Sequence, residues 1–136
     1  MKKQKTHALI VSIFGASAIG IGAFGAHGLK QKYEAGLITL NQLNAFDTGA
    51  RYQIYHSIAL LLLIALSNRL VNKYYTYAFL SFVFGILFFS GSLYLLSTKD
   101  LLHLSWLSFL GPITPIGGLL FMLGWLFIGL GFKKEN

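Results

Sequence analysis

Eight side chains in this sequence carry the chemistry that polar groups could do: His27, Arg51, Tyr52, Tyr55, His56, Ser92, Tyr94 and Thr114. Two histidines could ligate a metal or haem, or carry protons. No cysteine or carboxylate joins them within an apolar run, so neutral histidines hydrogen-bonded to a neighbouring helix are the simpler reading. Arg51 has the forked geometry to hold a lipid phosphate or a carboxylate. It could equally pair with Asp47 one helical turn earlier. Thr114 and the amides after Pro115 could bind an anion at a helix start, although Pro112 and Pro115 also simply mark where a helix begins. No G-x-S-x-G elbow, H-E-x-x-H pair or phosphate-binding loop occurs. With no cysteine there is neither a disulfide nor a thiolate site. The expectation is a non-enzymatic protein with no catalytic residues, no metal and no cofactor.

The elements that must position these groups are membrane helices. Of the 136 residues, 55% are hydrophobic, 15% aromatic and only 11% charged, and mean hydropathy is +0.65. A soluble domain carries about 25% charged residues. The net charge of +7 would suggest nucleic acid on a soluble protein. Here the basic residues flank long apolar runs, so membrane topology is the better explanation and no nucleic-acid partner is expected. A crossing helix needs about 20 apolar residues. Four spans are expected, at about 7–27, 52–69, 75–97 and 114–132, in a single all-α domain over 1–136. Ala16-Ser17-Ala18 resembles a signal cleavage triplet, but the apolar run continues to Ala26, so a retained span is expected. Segment 101–110 is too short to span and belongs at the interface or over the bundle. Thr39 could cap a helix running into the second span, with Asn41, Asn44, Thr48, Arg51, Tyr52, Tyr55 and His56 on one polar face.

Orientation follows the short basic flanks. Lys2, Lys3, Lys5, Arg69, Lys73, Lys133 and Lys134 stand against Lys30, Lys32, Arg51 and Lys99. That favours both termini in the cytoplasm. The polar residues at the ends of all four spans then gather at the outer leaflet. No acid lies inside a span, which disfavours a proton-coupled pump. The expected function is a pocket for a lipid headgroup or small amphiphile, built from the eight residues named first and serving envelope integrity. A small transporter or oligomeric channel is the second class. A haem- or quinone-binding redox protein, or a subunit of a larger complex, is the third.

Membrane helices associate through close packing of small residues. Ser12, Ala16 and Gly20 form one such stripe and Gly117, Gly124 and Gly131 another. Ala18, Gly22 and Ala26, and Ala78, Ser81 and Gly85, add two more. Packing within the bundle is the ordinary reading; a homo-oligomer seam is the sharper one. Membrane lipids are the expected partners.

Four ordered motifs carry a family resemblance. They are Gly22-Ala23-Phe24-Gly25-Ala26-His27-Gly28-Leu29, Thr48-Gly49-Ala50-Arg51-Tyr52-Gln53-Ile54-Tyr55-His56, Ser90-Gly91-Ser92-Leu93-Tyr94-Leu95, and Gly111-Pro112-Ile113-Thr114-Pro115-Ile116-Gly117-Gly118 followed by Gly124-Trp125. Over about residues 8–130 the chain resembles domain-of-unknown-function family 423, also called uncharacterised protein family 0382, which is similar to animal transmembrane protein 256. The resemblance implies a four-span bacterial inner-membrane protein and supplies no catalytic residues.

Overall fold

The structure, a computed structural model, describes residues 2–133. Lys134, counted above in the C-terminal flank, lies outside the described residues, as do the side chains of Lys2 and Lys3. Among the described residues every regular element is helical. Helix α1 (Lys2–Phe24), a π turn (Gly25–Leu29) and helix α2 (Lys30–Glu34) run on as one rod. Helix α3 spans Leu40–Ala65. Helix α4 (Asn72–Gly85), a second π turn (Ile86–Ser90) and helix α5 (Gly91–Thr98) form another continuous rod. A 3-10 turn (Ser105–Leu110) leads into helix α6 (Ile113–Gly131).

The turn between α2 and α3 follows from local chemistry. Gly36 sits at φ +73°, a left-handed conformation that a side chain disfavours. Its N–H donates to the Tyr33 carbonyl at 2.9 Å while Leu37 N–H donates to Lys32 at 2.9 Å, the paired bonds that close a helix end. Thr39 then starts α3 with a capping box. Its hydroxyl accepts from Gln42 N–H at 3.2 Å, and Gln42 Oε1 accepts from Thr39 N–H at 2.8 Å. The expected cap at Thr39 is therefore present. Gln42 Nε2 also donates to Asp100 at 2.6 Å, tying the start of α3 to the chain after α5.

Helix α1 lies along α3, and the α4–α5 rod lies along α6; the two pairs meet where the second π turn and α5 touch α3. Leu60, Leu63, Ala78, Phe79, Phe82 and Phe121 form the main buried cluster. Leu29, Ile38 and Phe46 close the opposite end. Several glycines let these helices approach. A Cβ on Gly124 would come within 2.5 Å of the Phe82 ring, and one on Gly117 within 2.3 Å of the Phe89 backbone nitrogen. The Gly117, Gly124 and Gly131 stripe is thus used within the chain. The Ser12, Ala16 and Gly20 stripe is exposed instead.

The two ends of the molecule are closed differently. At one end the chain after α6 is clipped to the segment before α4. Val71 N–H donates to Gly131 at 2.8 Å and Lys133 N–H to Arg69 at 3.0 Å, around an antiparallel bridge between Leu70 and Phe132. Gln4 donates to Ser67 at 3.2 Å there, and His7 shares a 2.7 Å hydrogen bond with the Tyr75 hydroxyl. The start of α1, the α3–α4 connection and the end of α6 therefore gather together. At the other end, Lys99 donates to Ser108 at 2.9 Å and Leu107 is buried, while Trp106 and Phe109 stack in the open with centroids 5.8 Å apart.

The outer surface is apolar: Ile19 is 70% exposed and Leu130 66%. Water would not tolerate so much exposed hydrocarbon. Three helices are long and apolar enough to cross a membrane, Gln4–Glu34, Asn72–Thr98 and Ser105–Gly131. Four were expected from sequence, and the expected second span does not meet that measure. The segment read as the 52–69 span falls in α3, which is long enough but not apolar enough. Arg51, Gln53, His56 and Ser57 interrupt its middle, and the helix stops at Ala65 before a short 3-10 turn, Ser67–Arg69. The last crossing element is longer than the expected 114–132, because Ser105–Leu110 continues into it through Gly111 and Pro112.

Candidate functional site

Successive residues of an α-helix point about 100° apart, since 3.6 residues make a turn. Three adjacent pairs on α3 therefore face three ways. Arg51 and Tyr55 are exposed. Tyr52 and His56 border a cleft toward α6. Gln53 and Ser57 are buried against the other helices.

Gln53 is the polar centre of the interior. It is 4% exposed. Its Nε2 donates to the Phe14 carbonyl at 2.9 Å and to Ser17 Oγ at 2.8 Å, both on α1. Its Oε1 accepts from the Tyr94 hydroxyl at 2.8 Å, on α5. One amide therefore joins three helices with both donor hydrogens and its oxygen engaged, which is what burial of such a group demands. Ser57 Oγ satisfies itself on the Gln53 carbonyl at 2.7 Å.

His56 is 6% exposed and faces α4 and α6 instead. Its Nδ1 lies 2.8 Å from the Tyr52 carbonyl. A carbonyl only accepts, so Nδ1 carries the proton and a neutral ring keeps its lone pair at Nε2. The ring stacks on Phe121 with centroids 3.5 Å apart and planes within 7°. Phe82 and Trp125 complete its aromatic surroundings at 5.4 Å and 6.4 Å. Tyr52, His56, Phe121 and Trp125 border a cleft of about 630 Å³, open at the side between α3 and α6 and lined also by Phe89, Pro115, Gly118, Leu119 and Met122. Nε2 makes no hydrogen bond among the described residues and is not among the fully enclosed atoms. The second π turn shapes this wall, because it sets the Phe89 backbone against Gly117 while the Phe89 ring meets Tyr52 at 4.7 Å.

The other residues singled out from sequence lie elsewhere. Ser92 and Thr114 share a 2.7 Å hydrogen bond between α5 and α6. Arg51 forks onto Asp47 Oδ2, with its Nε at 2.9 Å, so the one-turn ion pair is formed. The Asp47 hydrogen bond, with its charge, holds the Arg51 guanidinium above its ordinary pKa, so it stays cationic. His27 is exposed on the first π turn and makes no hydrogen bond among the described residues. The structure thus brings Tyr52 and His56 together, pairs Ser92 with Thr114, leaves Arg51 and Tyr55 on one exposed face, and sends Tyr94 and His27 elsewhere. No cluster of three metal-ligating side chains occurs among the described residues.

Gln53, Phe89, Phe121 and Trp125 were not among the sequence candidates. Gln53 was findable, since an amide one turn into an apolar run must be paired inside. The aromatics had no distinguishing signal in so aromatic a chain.

The family model described as "Protein of unknown function (DUF423)" matches residues 21–118. A UPF0382 membrane protein of Haemophilus influenzae is 40% identical over 93% of this chain and 94% of its own. The UPF0382 membrane protein YwdK of Bacillus subtilis is 37% identical over 96% of this chain and 98% of its own. A Staphylococcus saprophyticus UPF0382 membrane protein is 38% identical over 96% and 99%. No solved structure matches.

Proposed function

This chain belongs to the DUF423 family of UPF0382 membrane proteins and crosses the membrane more than once, and on that premise we propose that it is a non-enzymatic inner-membrane protein whose α3–α6 cleft holds an amphiphile and thereby supports the envelope. The carrying observation is the side-opening cleft of about 630 Å³ with His56 as its innermost polar group. Its volume falls within the roughly 300–1,000 Å³ of small-molecule sites, and its lining is mostly apolar with few polar groups, as such sites are. In this reading α3 crosses as the fourth helix. Gln53 and Ser57 are satisfied inside, and only the Arg51–Asp47 pair stays at the margin. Both termini lie in the cytoplasm, supported by the basic residues Lys5, Arg69, Lys73 and Lys133, which share one end.

Native mass spectrometry of gently extracted protein tests the cleft. The wild type is expected to retain one discrete lipid-sized adduct. Gly118→Leu should lose it, because no atom lies closer than 3.8 Å to a Cβ there and the new side chain has room to fill the cleft. A bare wild type, or an adduct kept at full occupancy in Gly118→Leu, sinks the assignment.

A second reading concerns self-association. Ser12, Ala16 and Gly20 are exposed beside Ile13 and Ile19, and a Cβ on Gly20 would meet nothing within 4 Å. This is the small-residue stripe that the fold leaves unused, and close approach of a second copy would bury it. The chain has no cysteine. Ala16→Cys is therefore expected to give a disulfide-linked dimer on mild oxidation in native membranes, with Leu130→Cys as the unlinked control. Equal linkage at both positions would mean random collision.

A further inference from the structure

Resting on the cleft reading above, we infer that the cleft between α3 and α6 selects a neutral lipid with a free hydroxyl headgroup, whose O–H donates to His56 Nε2. Three observations converge on this class. First, the Tyr52 carbonyl takes the Nδ1 proton of His56 at 2.8 Å, leaving Nε2 of the neutral ring as an acceptor with no hydrogen bond among the described residues. An unpaired acceptor bordering an apolar cleft calls for a donor on the ligand. Second, no lysine, arginine, aspartate or glutamate lines the cleft. A phosphate entering it would lose its water without gaining a counter-charge. Arg51 is committed to Asp47 and borders a different groove, toward α1. Third, the remaining polar lining groups are the Tyr52 hydroxyl and the Trp125 N–H, both on exposed residues without a hydrogen bond among the described residues. A hydroxyl oxygen can accept from such donors while its hydrogen goes to His56. The apolar remainder, Leu119, Met122 and Phe89, suits a chain entering from the side.

A hydroxyl head could come from a diacylglycerol or from an isoprenoid alcohol, and the test separates them. The chain has two tryptophans. Trp106 lies in the 3-10 turn, away from the cleft residues. In Trp106→Phe protein, Trp125 alone reports on the cleft. The protein is placed in phosphatidylcholine nanodiscs and titrated with brominated diacylglycerol, its methyl ether, brominated phytol, brominated phosphatidic acid and brominated phosphatidylcholine. Phosphatidylcholine gives the collisional baseline. A hydroxyl lipid is expected to reach half-quenching at a mole fraction roughly fivefold below its methyl ether, about the worth of one hydrogen bond. The stronger of diacylglycerol and phytol identifies the source. His56→Phe should keep the ring stack and abolish the preference.

The methyl ether comparison needs no substitution at His56, so a misfolded variant cannot obscure the result. Equal quenching by ether and hydroxyl lipid overturns the donor assignment while leaving an occupied cleft. Phosphatidic acid as the strongest quencher overturns the neutral class and means that the ring is charged. No lipid above the phosphatidylcholine baseline overturns the cleft reading itself.

Discussion

Replacing Gly117 with alanine is expected to cost about 3 kcal/mol or more and to leave little correctly assembled protein. The added methyl would lie 2.3 Å from the Phe89 backbone nitrogen and 2.8 Å from its Cα. Both belong to the main chain of the second π turn, so no side-chain rotation can relieve the clash. Helix α6 would have to lift away from the α4–α5 rod, loosening the Phe121 and Trp125 side of the cleft as it went. Gly124 and Gly85 are softer cases, because there the intruding Cβ meets the rings of Phe82 and Phe121 at 2.5 Å. Gly15→Ala serves as the control, since nothing lies within 4 Å of its Cβ. It is expected to be neutral or to stabilise by up to about 1 kcal/mol through lost backbone freedom in the unfolded chain. Thermal unfolding in detergent, followed by size-exclusion elution, reads all four variants. A Gly117→Ala protein with the wild-type midpoint would show that this helix crossing is looser than described.

Gln53→Leu carries the second-largest expected effect, a loss of about 2–4 kcal/mol. An interhelical hydrogen bond in a membrane protein averages about 0.6 kcal/mol and reaches about 1.7. Gln53 makes three such bonds, to Phe14, Ser17 and Tyr94. Leucine would also strand the Tyr94 hydroxyl, which has no other partner among the described residues and would be left in a partly buried site. An orphaned buried donor costs more than the bond itself. Tyr94→Phe alone should cost about 1 kcal/mol. The double variant should be less destabilised than the sum of the two by at least about 0.5 kcal/mol, because phenylalanine removes the stranded group. Additive losses would mean that the Gln53–Tyr94 bond carries no coupling in solution.

The fold was legible wherever a residue announces an end. Thr39 marked the start of α3, and Pro112 and Pro115 together marked the first turn of α6. The basic flanks told which connections share an end, and the clip and the Gln4–Ser67 bond place them together. The candidate site was legible only in part. Arg51 and Tyr52 are consecutive, so a view by depth put them in one pocket and passed over Gln53 beside them. Rotation about α3 separates them onto a groove, a cleft and the interior. The i,i+4 partners tell the faces apart: Tyr55 goes with Arg51, His56 with Tyr52 and Ser57 with Gln53. The two π turns had no compositional signal, yet the second decides which side of the α4–α5 rod meets Gly117. Small residues alone could not say which stripe is internal. That depends on which helices are neighbours, and sequence spacing is silent about it.

The clip between Arg69 and Lys133 has a consequence for biogenesis. Its two halves are the segments just before α4 and just after α6. Leu70, only 2% exposed in the finished protein, cannot acquire its Phe132 partner until α6 has left the ribosome and reached its place. Closure therefore waits on α6, and it reports that this helix has inserted in register. A nascent chain halted before residue 131 would leave the Val71 amide without the Gly131 carbonyl and Leu70 without its Phe132 partner.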